Sequence, residues 1–120
     1  MMADYDGEVV AGRAVVIEVD GSVGGYMVAW PEGDAYYIDN IGVDPNRQGA
    51  GLGRRLIEHA AAEARHLGLP ALRLYTNVAM VESLAMYTYL GFVETHRGTT
   101  EKGFDVIYMR RSLIASPPPA

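Results

Sequence analysis

The sequence predicts a single mixed α/β domain: a three-strand antiparallel meander, a helix that lays a fourth strand parallel to the third, a second helix and a closing antiparallel hairpin. Three observations carry the prediction. β-Branched and aromatic runs are separated by Asp20-Gly21 and Glu32-Gly33-Asp34, which are hairpin turn signals. Apolar residues at helical spacing begin directly after the alternating glycines Gly49, Gly51 and Gly53. A helix returning from a strand places the next strand parallel to it, because such crossovers are right-handed.

Met1 to Gly12 is acidic and has no sustained period, so it reads as loop or a short edge segment. Ala14 to Val19 is the first strand of the meander; Val23 to Trp30 returns and stops at Pro31. Gly24-Gly25 marks a bulge or close packing, and Ala35 to Val43 is the third strand, ending at Asp44-Pro45. From about Gly51 to Leu67 a helix turns Leu56, Ile57, Ala60, Ala61, Ala64 and Leu67 to one face. Gly68 occupies the left-handed position that ends it, and Pro70 forbids continuation. Leu72 to Thr76 is the parallel strand, and Val81 to Leu90 the second helix, with Leu84, Met86, Tyr87 and Leu90 inward and Gly91 as its stop. Phe92 to Arg97 and Phe104 to Arg110 pair around the polar Gly98–Gly103 loop, and the proline-rich end from Ser116 reads as a mobile tail. The domain thus spans residues 14–113, between a short segment 1–13 and a tail 114–120.

At 120 residues the chain is one domain with room for a core. A net charge of −5 argues against nucleic acid or an acidic membrane as partner. With no cysteine there is no disulfide frame, thiolate nucleophile or thiol zinc site, and His59, His66 and His96 lack metal-ligand spacing, so no metal is expected. No run approaches the ~18 apolar residues of a membrane span, and the start lacks a basic-then-apolar leader, so a cytoplasmic protein is the expectation.

The stretch from Asn40 to Arg55 runs strand, turn, glycines, helix. Such a junction aims backbone N–H groups and the positive end of a helix dipole at one place. It reads either as a phosphate-binding loop or as a tight turn that binds nothing. A P-loop needs Lys-Ser/Thr after the last glycine, where Arg54 stands, and a dinucleotide fingerprint needs a wider glycine spacing than that of Gly51 and Gly53.

Gln48-x-x-Gly51-x-Gly53 resembles the Q/R-x-x-G-x-G/A pyrophosphate signature of the GNAT superfamily of N-acetyltransferases. Met86-Tyr87-Thr88-Tyr89-Leu90-Gly91-Phe92 resembles the family's L-Y-x-x-L-G-F segment, in the expected order and distance, so the resemblance covers roughly Ala14 to Leu113. It implies acetyl transfer from acetyl-CoA to a primary amine of a small molecule or a peptide, by direct attack in a ternary complex. It also implies splayed parallel strands with the pantetheine arm between Ile41, Gly42 and Val43 on one side and Leu74 to Asn77 on the other. The pyrophosphate would rest on the N–H groups of Gln48, Gly49, Ala50, Gly51, Leu52, Gly53 and Arg54, with Arg47, Arg54 or Arg55 adding a charge-assisted contact. The backbone N–H of Val43 would face the developing oxyanion, and Tyr87 would donate to the leaving thiolate. The general base is left open, with Asp39 the first candidate and Glu82 the second.

Two departures stand out. Met80 replaces the family's usual asparagine seven residues before the tyrosine, with Asn77 the nearest asparagine, although Tyr75-Thr76-Asn77-x-x-Met80-x-Glu82 resembles a subgroup variant. Thirteen residues before Ala14 are too few for the strand and two helices that usually wall the acceptor site. The groove is therefore open, covered by a second subunit in a homodimer, or belongs to a shortened chain. A non-catalytic acyl-CoA-binding or regulatory module of the same fold is the alternative reading, and a purely structural domain the third.

Overall fold

A computed structural model describes residues 7–11 and 13–114. Seven strands form one sheet in the order β1-β2-β3-β4-β5-β7-β6. They are β1 (Gly7–Ala11), β2 (Ala14–Val19), β3 (Ser22–Glu32), β4 (Ala35–Val43), β5 (Ala71–Asn77), β6 (Val93–Thr99) and β7 (Asp105–Ser112). A 3₁₀ turn at Pro45–Arg47 precedes helix α1 (Leu52–His66), and α2 (Val81–Tyr89) joins β5 to β6. Of the two readings of the opening residues, an edge strand forms over Gly7–Ala11, antiparallel to β2. The first six residues and the tail beyond Ile114 lie outside the described residues. No helix among the described residues is long and apolar enough to cross a membrane.

The meander follows from its turns. Asp20 and Gly21 both adopt positive φ, 51° and 79°, the geometry that matches a two-residue hairpin to strand twist. β3 runs past Pro31 rather than stopping there, and Pro31 pairs with Tyr36. The ladder of β2 on β3 ends at Ala14 opposite Val28, so Pro31 has a strand on one side only, where a missing N–H is tolerated.

Two bulges shape the sheet. Ile17 pairs with Gly25 and Glu18 with Val23, which leaves Gly24 as the extra residue of β3. A Cβ there would lie 3.0 Å from Leu52 Cδ1, and one on Gly25 would lie 3.2 Å from the Gly42 carbonyl oxygen, so both glycines also let elements close up. On β4, Asn40 pairs with Val28 and Ile38 with Ala29, so Asp39 is unpaired. A bulge bends and twists its strand. Its consequence lies on the other side of β4: the parallel ladder to β5 holds only Tyr36 with Leu72 and Tyr37 with Arg73. Beyond the bulge the central strands part, while β5 stays paired with β7 along its whole length from Ala71 to Asn77.

α1 covers the sheet with Leu56, Ile57, Ala60, Ala61 and Ala64, all fully buried. Full burial of a leucine or isoleucine contributes about 1.5–3 kcal/mol, while the three alanines let the helix lie close. Leu67, expected inward, is 47% exposed because it is the C-cap, with Leu69 packing against the core instead. Gly68 (φ 75°) then closes a Schellman turn, its N–H bonding Arg65 O and that of Leu69 bonding Ala64 O.

Candidate functional site

The loop into α1 holds Gly49 and Gly51 at φ 90° and 78°, with no atom packed where a Cβ would stand. Their role is backbone shape. Gly53 serves space: its Cβ would sit 3.1 Å from Met86 Sδ, at the contact of α1 with α2. Gly51 is the N-cap of α1 and no side chain caps the helix. The ladder begins with Arg55 N–H to Gly51 O at 3.0 Å, so the N–H groups of Leu52, Gly53 and Arg54 precede it. The first turn has no acid and carries Arg54 and Arg55. Cations at that end oppose the helix dipole by about 0.3–1 kcal/mol each, and they are the right charges to meet an anion.

The residues that carry these N–H groups line a cleft of about 640 Å³. Ile41, Gly42 and Val43 line it from β4, Gln48, Gly49 and Gly51 from the loop, and Leu52, Gly53 and Arg54 from α1. The phase of the ladders says what β4 offers. Asp44 N–H bonds Gly24 O at 2.8 Å, and Gly25 stands opposite Val43. In that phase the N–H and C=O of Val43, and of Ile41 two residues earlier, turn away from β3 into the parting of the sheet. Across the gap Val78 N–H bonds Asp105 O at 3.0 Å with Asn77 opposite Val106, so Tyr75 and Asn77 turn their backbone groups inward likewise. The parting is thus edged with strand hydrogen-bonding groups that no strand takes up, a place for an extended amide-bearing chain.

α2 supplies Tyr87, and the way the helix ends holds it there. Gly91 takes φ 97°; its N–H bonds Thr88 O at 3.1 Å, and Phe92 N–H bonds Tyr87 O at 2.9 Å. This is a Schellman cap, whose hydrophobic contact joins the residues at its two ends. Here they are Tyr87 and Phe92, edge to face with ring centroids 5.7 Å apart. Tyr87 is 6% exposed, and burial pushes its phenol up to about 12, so it stays protonated throughout the neutral range. Tyr89 is 77% exposed and also borders the larger cleft, with the Arg54 guanidinium 5.9 Å from its ring.

A second cavity, about 310 Å³, lies where the strands part, bounded by Asp39 and Asn40, Tyr75 to Asn77, and Thr100 and Phe104 of the β6–β7 loop. The two cavities share Ile41, Ser83 and Tyr87. Tyr87 therefore stands at their junction. Ser83 went unnoticed in the sequence, although it lies one helical turn before Tyr87 and that spacing puts both on one face.

Ala50 and the side chain of Asn77 do not line the cleft. Ala50 N–H bonds Arg47 O at 3.3 Å, and its side lines an outer hollow with Asn46, Arg47 and Arg55. Asn77 lines the smaller cavity, and its side chain accepts from Ala79 N–H at 2.8 Å to shape the turn into α2. Of the three arginines only Arg54 borders the cleft; Arg47 donates to Ser22 Oγ at 3.1 Å and pairs with Asp44 at 3.7 Å. Asp39 lines the smaller cavity and Glu82 the cleft. Among the described residues no cluster of His, Asp or Glu is arranged to hold a metal ion.

The sequence model of the acetyltransferase (GNAT) family matches residues 2–92, three quarters of the chain. The protein belongs to the GNAT acetyltransferase family. Among GNAT relatives, the mycothiol acetyltransferase of Thermomonospora curvata is 38% identical over 89 residues, covering 74% of this chain and 25% of that protein. The ribosomal protein bS18-alanine N-acetyltransferase of Escherichia coli K12 is 36% identical over 81 residues, 63% of this chain and 55% of the relative. This chain spans about a quarter to half the length of these curated relatives. A crystal structure of the E. coli S18-alanine N-acetyltransferase shares the fold with a TM-score of 0.73 at 26% identity, over 92% of this chain and 76% of that one. The GNAT fold also recurs in a putative streptothricin acetyltransferase from Bacillus anthracis in complex with acetyl coenzyme A: TM-score 0.78, 23% identity, 82% of this chain and 61% of that one. Acetyl-CoA is the cosubstrate of the GNAT family.

Proposed function

We propose that this chain binds acetyl-CoA in the larger cleft and transfers the acetyl group to a primary amine, of a small molecule or a peptide, that enters from the smaller cavity. The observation that carries the reading is Tyr87 at the junction of the two. The N–H groups of Leu52, Gly53 and Arg54, with the Arg54 guanidinium, suit a pyrophosphate. The unused strand edges of Ile41 and Val43 suit the amides of the pantetheine arm.

Acetyl-CoA supplies an acyl group activated as a thioester. Direct attack by the neutral amine forms the C–N bond and breaks the C–S bond, with the amine proton leaving to solvent or a base. Val43 N–H serves the charge that develops on the carbonyl oxygen; a fixed donor of this kind is typically worth about 3–4 kcal/mol. Tyr87 donates from its phenol to the departing sulfur, whose thiolate has a pKa near the ≈ 8.5 of cysteine. Burial keeps the phenol protonated for that step.

Calorimetric titration with acetyl-CoA, paired with detection of free CoA against a panel of amines and peptide N-termini, tests the reading. Binding with turnover is expected. Binding without turnover across the panel favours the non-catalytic acyl-CoA module, and failure to bind rejects both.

A further inference from the structure

We infer that Asp39 makes the smaller cavity selective by charge: it admits apolar amines that carry no carboxylate beside the reacting nitrogen. The inference rests on the acetyl-transfer reading and names its substrate class.

Among the described residues that line this cavity Asp39 alone is charged at neutral pH, and none is a lysine, arginine or histidine. Most other carboxylates near the sheet are spent on partners: Asp34 on Arg110, Glu32 on Arg73, Glu58 on Arg111 and Asp105 on Thr99. Among the described residues the Asp39 side chain makes no ion pair and accepts no hydrogen bond. Its place is set by the backbone, since it is the unpaired residue of the β4 bulge, and bulges re-aim side chains at the rims of sites. Phe104 and Tyr75, which line the same cavity with Tyr87, are 54% and 39% exposed. Phe104 and Tyr75 offer an apolar body its contact, and Asp39 offers the ammonium its counter-charge as the amine arrives. A free amino acid brings the same ammonium with a carboxylate attached. That second charge meets Asp39 and finds no cation, which disfavours it. A peptide N-terminus or an arylalkylamine has no such group.

The test compares kcat/KM for phenethylamine and phenylalanine, which share the aromatic body and a basic amine and differ in the carboxylate; phenylalaninamide is the third arm. Wild-type protein is expected to prefer phenethylamine and the amide at least tenfold. Asp39→Asn should narrow that ratio, and Asp39→Arg should reverse it in favour of phenylalanine, with acetyl-CoA titration showing that each variant still folds and binds. Equal use of the three by wild type overturns the inference while leaving acetyl transfer standing. A wild-type preference that both variants retain overturns the role of Asp39. Silence with every amine overturns acetyl transfer and this inference together, and is told apart by the absence of any CoA release.

Discussion

Tyr87 answers to three demands at once: it is the third residue from the end of α2, a ring packed on Phe92, and a phenol at the junction of two cavities. The first two are structural and are met by a phenylalanine as well. Only the third needs the hydroxyl. Tyr87→Phe is therefore predicted to keep the fold and the affinity for acetyl-CoA within about twofold. It should lower kcat by about a hundredfold, the low end of what a positioned proton donor contributes. Steady-state kinetics beside calorimetry reads both quantities, and unchanged kcat at saturation removes Tyr87 from the proton-donor role.

At the scale of elements, both helices end in the same device. Gly68 closes α1 at φ 75° and Gly91 closes α2 at φ 97°, and neither has a close neighbour that forbids a Cβ. Alanine at either position pays the left-handed strain of about 1–2 kcal/mol, which lowers Tm by about 5–10 °C. The functional outcomes diverge. Gly91→Ala loosens the cap that joins Tyr87 to Phe92 and is predicted to reduce kcat beyond its effect on acetyl-CoA affinity; Gly68→Ala leaves kcat unchanged. Thermal melts and kinetics of the pair check this, and equal kcat in both variants rejects the idea that the cap positions the tyrosine. The spacing Tyr87, Leu90, Gly91, Phe92 was legible as a motif in the sequence, and the cap supplies its physical reason.

For the whole molecule, the parting of β4 from β5 is a seam that one ligand would close. Acetyl-CoA at a hundred times its Kd should stabilise the fold by about 2.7 kcal/mol, raising Tm by about 10 °C. A melting curve unmoved by acetyl-CoA contradicts that bridging. Alkali should act oppositely. Burial, first among the causes, pushes both Tyr37 and Tyr87 up from 10 to about 12. The unfolded chain releases these two protons near pH 10 and the native chain holds them, so their contribution is complete below pH 10 and is lost as pH rises toward 12. Urea denaturation midpoints at pH 9, 10.5 and 11.5 should fall in that order, and the loss should shrink in Tyr37→Phe.

What the sequence determined by itself is what is local. Turn residues such as Asp20-Gly21, the glycines at the head and end of α1, and the apolar face from Leu56 to Ala64 each act through neighbours within a few residues, so strands, helices and the glycine-led turn into α1 were legible before any packing was known. The tertiary structure alone decided what depends on partners far along the chain. That Pro31 continues a strand needs the end of β2, and that Asp39 is unpaired needs the register against Val28 and Ala29. That Ala50 and the side chain of Asn77 stay outside the cleft while Ser83 joins it needs α2 packed beside the parted sheet. Register and packing arise from pairings tens of residues apart, and no short window of sequence carries them.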